Sequence, residues 1–127
     1  MWSVSRVVAA PPDRVWDLLT DLEAWPVWGP TVTGGSIDGP ASALALGVRG
    51  HVRTLAGISL PFVVTAYDVS GGVRRWSWSV AGVPATTHEV VELDRGCRVR
   101  FGVPVWAPGY LAVCAVALRR IERLAAG

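Results

Sequence analysis

Hydrophobic and polar positions alternate along much of the chain, and this alternation predicts β-strands. From Leu46 onward, Val48, Gly50, Val52 and Thr54 fall on one side of the pattern, with Arg49, His51 and Arg53 on the other. A period of two indicates a strand with one buried face. Strands of the same kind, separated by turns rich in glycine, proline or aspartate, are predicted over residues 2–9, 31–37, 58–68, 73–80, 86–93 and 97–103.

A different period, typical of a helix, governs the end of the chain. The predicted helix runs from Pro108, a residue suited to a first helical position, to Ala126. Its first half, from Tyr110 to Leu118, is apolar on every side, and a helix of that kind must be covered on all sides. Two short helices, over residues 12–20 and 22–28, are predicted to follow the first strand.

A membrane span competes for part of this region. Residues 101–118 carry no charge, and about 18 such residues are long enough to be a transmembrane candidate. Pro104, Pro108 and two glycines interrupt the run. A strand ending near Val103, followed by a buried helix, explains the same residues better, so no integral membrane span is expected.

The order of these elements predicts an α+β fold. Strands joined by tight turns give a curved antiparallel sheet of about seven strands, and the helices are segregated to the two ends of the chain. Such a sheet can wrap around the long C-terminal helix and hide its apolar half. No repeat or linker divides the sequence, so residues 1–127 are expected to form a single domain.

Composition narrows the range of functions. The chain is 51% hydrophobic and only 17% charged, and its mean hydropathy of +0.39 indicates a large interior, an apolar cavity or the face of a homodimer. A net charge of +2, with scattered basic residues, gives no basis for nucleic-acid binding. Cys97 and Cys114 match no metal spacing and are expected to be buried free thiols, so neither a metal nor a cofactor is predicted. No signal peptide is recognisable, which makes the cytoplasm the expected location.

The opening of the chain resembles one protein family. The stretch from Val8 to Trp28, VAAPPDRVWDLLTDLEAWPVW, is similar to the start of the polyketide cyclase/dehydrase branch of the START and Bet v 1-like (SRPBCC) superfamily. The run from Asp94 to Phe101 resembles the late hairpin of that family, although Cys97 stands where threonine is usual. The run from Leu118 to Leu124 resembles its closing helix.

The resemblance implies a helix-grip fold with a cavity between the sheet and the long helix. Members of the family bind or transform apolar molecules in that cavity, including lipids, polyketides and aromatic compounds. It therefore implies binding of a small hydrophobic or aromatic ligand. A cyclase, dehydrase or aromatase-like enzyme using the same cavity is one alternative, and a partner-binding regulatory module is another.

Glu89 is the candidate catalytic residue. Alternation along its strand places Thr87, Glu89 and Val91 inside, although the opposite set is similar in polarity. A carboxylate in a cavity would be desolvated and suited to acid–base chemistry, whereas pairing with a strand arginine is the structural alternative. His88 and His51 are expected at the surface.

The remaining candidate site residues are aromatic. Trp76 and Trp78 share a strand face that is predicted to look inward, as pocket walls or as plain core. Trp25 and Trp28 are expected near the cavity mouth, and the Tyr110 hydroxyl could orient a ligand. Seven tryptophans against two tyrosines and two phenylalanines are notable, since an indole combines an apolar wall with one N–H donor.

Overall fold

The computed structural model describes residues 1–126 and shows an antiparallel sheet gripping a C-terminal helix. The strands are β1 (Trp2–Val8), β2 (Val32–Ile37), β3 (Arg49–Thr54), β4 (Ser59–Ser70), β5 (Val73–Val80), β6 (Val83–Glu92) and β7 (Cys97–Val103). The helices are α1 (Pro12–Thr20), α2 (Trp25–Trp28) and α3 (Leu111–Ala126), with a 3-10 turn over Pro108–Tyr110.

The sheet has seven strands in the order β1-β7-β6-β5-β4-β3-β2. Every neighbouring pair is antiparallel. The first strand, β1, pairs with β7, with Trp2 opposite Val103 and Val8 opposite Cys97. The predicted α+β helix-grip architecture is therefore confirmed. At the β6–β7 turn, Gly96 has a φ of +79°, and a Cβ there would overlap the carbonyl oxygen of Val8. Only glycine fits here, where the turn passes close to the end of β1.

The core lies between the concave face of the sheet and one side of α3. Helix α3 contributes Cys114, Ala117, Leu118, Ile121 and Ala125, which recur at helical spacing and are at most 2% exposed. The sheet contributes inward side chains from alternating positions, among them Val52, Phe62, Val64, Trp76, Val90, Val99 and Phe101. Cys97 and Cys114 are buried free thiols, as the sequence predicts.

Three local expectations are corrected. The second helix is only the four residues of α2, because residues 22–24 form turns instead. The β5–β6 turn lies at Ala81 and Gly82, so Val83 and Pro84 already belong to β6. The apolar half of α3 is not covered on all sides: Ala112 is exposed, and Ala115 and Val116 are half-buried.

The described residues contain no helix that is both long enough and apolar enough to cross a membrane. The uncharged run from Phe101 to Leu118 is divided between the end of β7, a loop, the 3-10 turn and the first half of α3. The prolines that interrupt the run lie in that loop and at the start of the 3-10 turn, where they do not break a helix.

Candidate ligand-binding site

A two-chambered cavity lies between the concave face of the sheet and the start of α3. The outer chamber has a volume of about 310 Å³ and the inner chamber about 50 Å³. Both are walled by Thr31, Val32, Trp78, Thr86 and Tyr110, so the two chambers adjoin. The outer chamber reaches the surface beside Trp106 and Val83, which are 63% and 44% exposed.

Helix α2 places two tryptophans in the inner chamber. Trp25 Nε1 donates to the carbonyl oxygen of Leu19 at 3.0 Å, and Trp28 Nε1 donates to that of Leu18 at 2.7 Å. These carbonyls belong to the last turn of α1, where no further turn of the helix can satisfy them. The prediction that Trp25 and Trp28 lie near the mouth is wrong. They are 2% and 7% exposed and line the inner end, because their N–H groups cap α1.

Trp76 and Trp78, on β5, both face the concave side. The Trp76 ring stacks between Trp25, at a centroid distance of 5.8 Å, and His88, at 4.0 Å. Trp78 meets Trp25 and Phe62 edge-on and walls both chambers. Trp76 Nε1 is buried and has no hydrogen-bond partner within the described part of the chain. An unpaired buried donor is costly, by roughly 1–3 kcal/mol.

His88, and not its neighbour Glu89, faces the cavity from β6. It is 3% exposed and lines the inner chamber, so the expectation of a surface histidine is wrong. Its Nδ1 lies 3.2 Å from the carbonyl oxygen of Trp76, which can only accept, so Nδ1 carries the proton. Burial lowers the pKa of His88 to about 3, against a smaller opposing effect of that hydrogen bond, and the ring is neutral.

A short hydrogen-bonded chain links this histidine to the junction of the chambers. With Nδ1 protonated, His88 Nε2 must accept, and the Thr86 hydroxyl donates to it across 3.1 Å. Trp78 Nε1 donates in turn to Thr86 Oγ1 at 3.0 Å. The hydroxyl oxygen of Thr86 keeps one further lone pair. It is therefore a free acceptor in a wall that the two chambers share.

Glu89 lies on the convex face of the sheet, outside the cavity. Its Oε2 accepts from Arg75 at 3.0 and 2.8 Å and from Arg100 at 3.2 Å. The inward orientation predicted for Glu89 is wrong because cross-strand pairing sets it opposite two outward arginines. The alternative, pairing with a strand arginine, describes what the structure shows. With its carboxylate in this ion pair, Glu89 contacts neither chamber.

Tyr110 stands at the junction of the chambers, in the 3-10 turn before α3. Its hydroxyl lies 2.7 Å from Thr31 Oγ1. Burial raises the pKa of Tyr110, against a smaller opposing effect of the Thr31 hydrogen bond. Burial also raises the pKa of the Cys114 thiol, which lines the inner chamber, to about 11. At neutral pH both groups are uncharged.

The cavity lining as a whole carries no charge. Neither chamber is lined by an Asp, Glu, Lys or Arg residue of the described chain. The same residues contain no group of three or more His, Cys, Asp or Glu side chains that could hold a metal ion. What the lining offers is aromatic and aliphatic surface, the Thr86 acceptor and the Tyr110–Thr31 hydroxyl pair.

Sequence reasoning missed Thr31, Thr86, His88 and Trp106 as wall residues. The sequence held a signal for His88. The Asp94–Gly96 hairpin pairs Glu92 with Cys97, which sets His88 opposite Phe101. Val99 and Phe101 alternate with Arg98 and Arg100, which predicts that Phe101 faces inward. Its cross-strand partner must then face inward too.

A curved antiparallel sheet closed on a C-terminal helix, with an uncharged cavity between them, defines a helix-grip protein. A sequence model described as "Polyketide cyclase / dehydrase and lipid transport" matches residues 1–125. The chain belongs to this family, which confirms the resemblance found at its N-terminal stretch. No protein of curated function shows significant sequence similarity to it.

Solved structures share the fold at low sequence identity. A hypothetical protein of Helicobacter pylori is 14% identical, with a TM-score of 0.77 over 97% of this chain and 86% of its own. A protein of Chromobacterium violaceum is 21% identical, with a TM-score of 0.65 over 99% and 96%. DynU16, from the dynemicin biosynthetic locus, is 19% identical, with a TM-score of 0.60. That alignment covers 95% of this chain and 45% of DynU16. At such identities the likeness shows the fold alone.

Proposed function

We propose that this protein binds a small, uncharged hydrophobic or aromatic molecule in the cavity between the sheet and α3. The observation that carries the proposal is the uncharged lining of both chambers. An ion brought into such a site would lose its hydration without gaining a partner, which costs several kcal/mol. A neutral ligand loses little and buries apolar surface.

The polar atoms of the lining favour a ligand with one polar end. An inner chamber of about 50 Å³ has room for a hydroxyl or carbonyl group, but not for a ring system. There a ligand hydroxyl could donate to Thr86 Oγ1, which has one lone pair left after its bonds to Trp78 and His88. The apolar body of the ligand would then fill the outer chamber of about 310 Å³.

Binding is favoured over a cyclase- or dehydrase-like reaction in the same cavity. The enzyme alternative depended on Glu89, which lies on the convex face in an ion pair. His88 is the remaining basic group in the lining, and its pKa of about 3 makes it a poor base at neutral pH. Both of its nitrogens are engaged in hydrogen bonds.

Two fluorescent probes with one skeleton test the proposal. N-phenyl-1-naphthylamine is neutral, whereas 1-anilinonaphthalene-8-sulfonate adds a sulfonate to the same two ring systems. We expect the neutral probe to bind saturably, at least about tenfold more tightly than the sulfonate. Equal affinities, or tighter binding of the sulfonate, would contradict an uncharged-ligand site.

A matched pair of substitutions locates the bound probe. Ala85 and Thr86 form a bulge opposite Trp78, and Ala85 lines the outer chamber. Ala85→Phe should fill that chamber and weaken binding of the neutral probe by about tenfold or more. Ala66→Phe, at an exposed alanine of β4 outside the cavity, is the control and should leave affinity unchanged. Equal effects of the two substitutions would place the probe elsewhere.

A further inference from the structure

Exposed apolar side chains gather on three turns around the mouth of the cavity. We define the mouth surface as Leu55, Ile58, Val83, Val105 and Trp106, which are between 44% and 69% exposed. They come from the β3–β4 turn, the start of β6 and the loop after β7. The outer chamber is walled by residues next to them or among them, so these turns surround one opening.

The turns at the mouth end of the sheet carry no charged side chains. Each mouth-end turn lies within an uncharged stretch, and these stretches cover residues 24–37, 54–67, 76–87 and 101–118. The turns at the other end of the sheet are charged, with Asp38, Asp68, Asp94 and Arg95 in or beside them. Turns without charged side chains match an environment in which a charge would be costly.

The start of α3 adds further exposed apolar side chains near the mouth. Tyr110, at the entrance to the helix, is 38% exposed and lines the outer chamber. Ala112 is exposed, and Ala115 and Val116 are half-buried, although this half of the helix is apolar all round. The Trp2 indole steadies the same loop by donating to the carbonyl oxygen of Val105 at 3.0 Å. Exposed apolar side chains gathered around a cavity mouth mark an interaction site.

We propose that the mouth surface docks on a lipid bilayer, so that an apolar ligand passes between the membrane and the cavity without crossing water. The choice of a bilayer rests on the proposed function, because a protein bound over the mouth would close the cavity. A bilayer covers the exposed turns and is itself a reservoir of apolar molecules. Exposed Trp and Tyr side chains also suit the membrane–water interface.

The chemistry of the mouth surface specifies how docking occurs. Its turns hold no arginine or lysine, and the nearest basic residue along the chain is Arg53, just before the β3–β4 turn. Attraction to anionic lipids therefore contributes little. Binding comes from apolar side chains entering the interface. It should be similar for neutral and anionic bilayers and should change little with salt.

Vesicle flotation tests the proposal directly. The protein should float with phosphatidylcholine vesicles, and adding phosphatidylglycerol or raising the salt from 0.1 to 0.5 M should change the bound fraction less than about twofold. Leu55→Asp and Val105→Asp alter side chains that are 69% and 67% exposed and do not line either chamber. Together they should lower vesicle partitioning at least about tenfold.

Leu46→Asp is the matched control. Leu46 is 68% exposed but lies in the loop before β3, at the opposite end of the sheet. It should leave partitioning unchanged. Binding that requires phosphatidylglycerol and disappears in salt, or an equal loss in the control, would overturn the proposal. So would a dimer in analytical ultracentrifugation that Leu55→Asp dissociates without vesicle binding, since a second copy would then cover the mouth.

The two proposals fail separately. Binding of N-phenyl-1-naphthylamine is measured without vesicles, and the Leu55→Asp and Val105→Asp variant should retain it. Probe binding without flotation would overturn bilayer docking alone. Flotation without probe binding would overturn the proposed ligand site and leave membrane docking as a function of its own.

Discussion

His88 makes the acid stability of this protein depend on one buried ring. Burial lowers its pKa from 6.5 to about 3. Below pH 6.5 His88 is therefore protonated in the unfolded chain but stays neutral in the folded one. The free energy of unfolding should therefore fall between pH 6.5 and 3, with a contribution approaching about 1.4 kcal/mol per pH unit. Denaturant unfolding across this range measures the slope.

Two substitutions separate this contribution from the carboxylates. His88→Phe keeps an aromatic ring beside Trp76 and should flatten the pH dependence, even if it is less stable at pH 7. His51→Gln changes an exposed histidine and should keep the slope of the unmodified protein, because His88 is still present. An unchanged slope in His88→Phe would show that the ring is protonated in the folded state.

Glu89 is expected to act on stability rather than on ligand binding. Its side chain is 8% exposed between the guanidinium groups of Arg75 and Arg100. Glu89→Gln leaves those two cations side by side without a carboxylate, and should lower the free energy of unfolding by about 1–3 kcal/mol. Affinity for the neutral probe should be unchanged.

The control for Glu89 is a simple ion pair at the surface. Glu122 accepts from Arg6 at 2.9 Å, with both side chains at least a third exposed. Glu122→Gln should cost less than about 1 kcal/mol. If Glu89→Gln lost probe binding while its free energy of unfolding stayed unchanged, Glu89 would belong to the binding site. That result would contradict its placement on the convex face.

At the scale of elements, the β5–β6 turn carries a strain that a single substitution can relieve. Ala81 has a φ of +51° and Gly82 a φ of +78°, the pattern of a type I′ turn. Alanine is unfavourable in this region, whereas asparagine tolerates it. Ala81→Asn should raise the free energy of unfolding by about 0.5–1 kcal/mol.

A second alanine in a turn provides the control for Ala81. Ala56 is exposed in the β3–β4 turn, and its φ is not positive. Ala56→Asn should change stability by less than about 0.5 kcal/mol. If Ala81→Asn destabilises the protein, or if Ala56→Asn stabilises it equally, the strain assigned to Ala81 is not released by the new side chain.

At the scale of the whole molecule, one core predicts one unfolding transition. The first strand, β1, pairs with the last strand, β7, and α3 packs against the same sheet. Neither end of the chain therefore has a core of its own. Loss of sheet, followed by far-UV circular dichroism, should coincide with exposure of the buried tryptophans, followed by fluorescence. Separate midpoints would contradict the expectation that residues 1–127 form a single domain.

The sequence by itself determined the elements and the fold. Five of the seven strands and the first helix lie within one or two residues of their predicted bounds, because period and turn residues are local properties of the chain. The inward faces of β3, β5 and β7 could also be predicted. There, apolar and polar positions alternate over most of each strand, as for Val52 against Arg53 or Phe101 against Arg100.

Only the tertiary structure decided which residues line the cavity. On β6 the two alternating sets are almost equally polar, so local pattern could not choose between His88 and Glu89, and pairing with β5 and β7 made the choice. Trp25 and Trp28 are drawn inward by the carbonyls of α1, which no spacing along the chain reveals. The mouth surface likewise joins turns far apart in sequence. A site made from several strands and loops exists only once their register has brought them together.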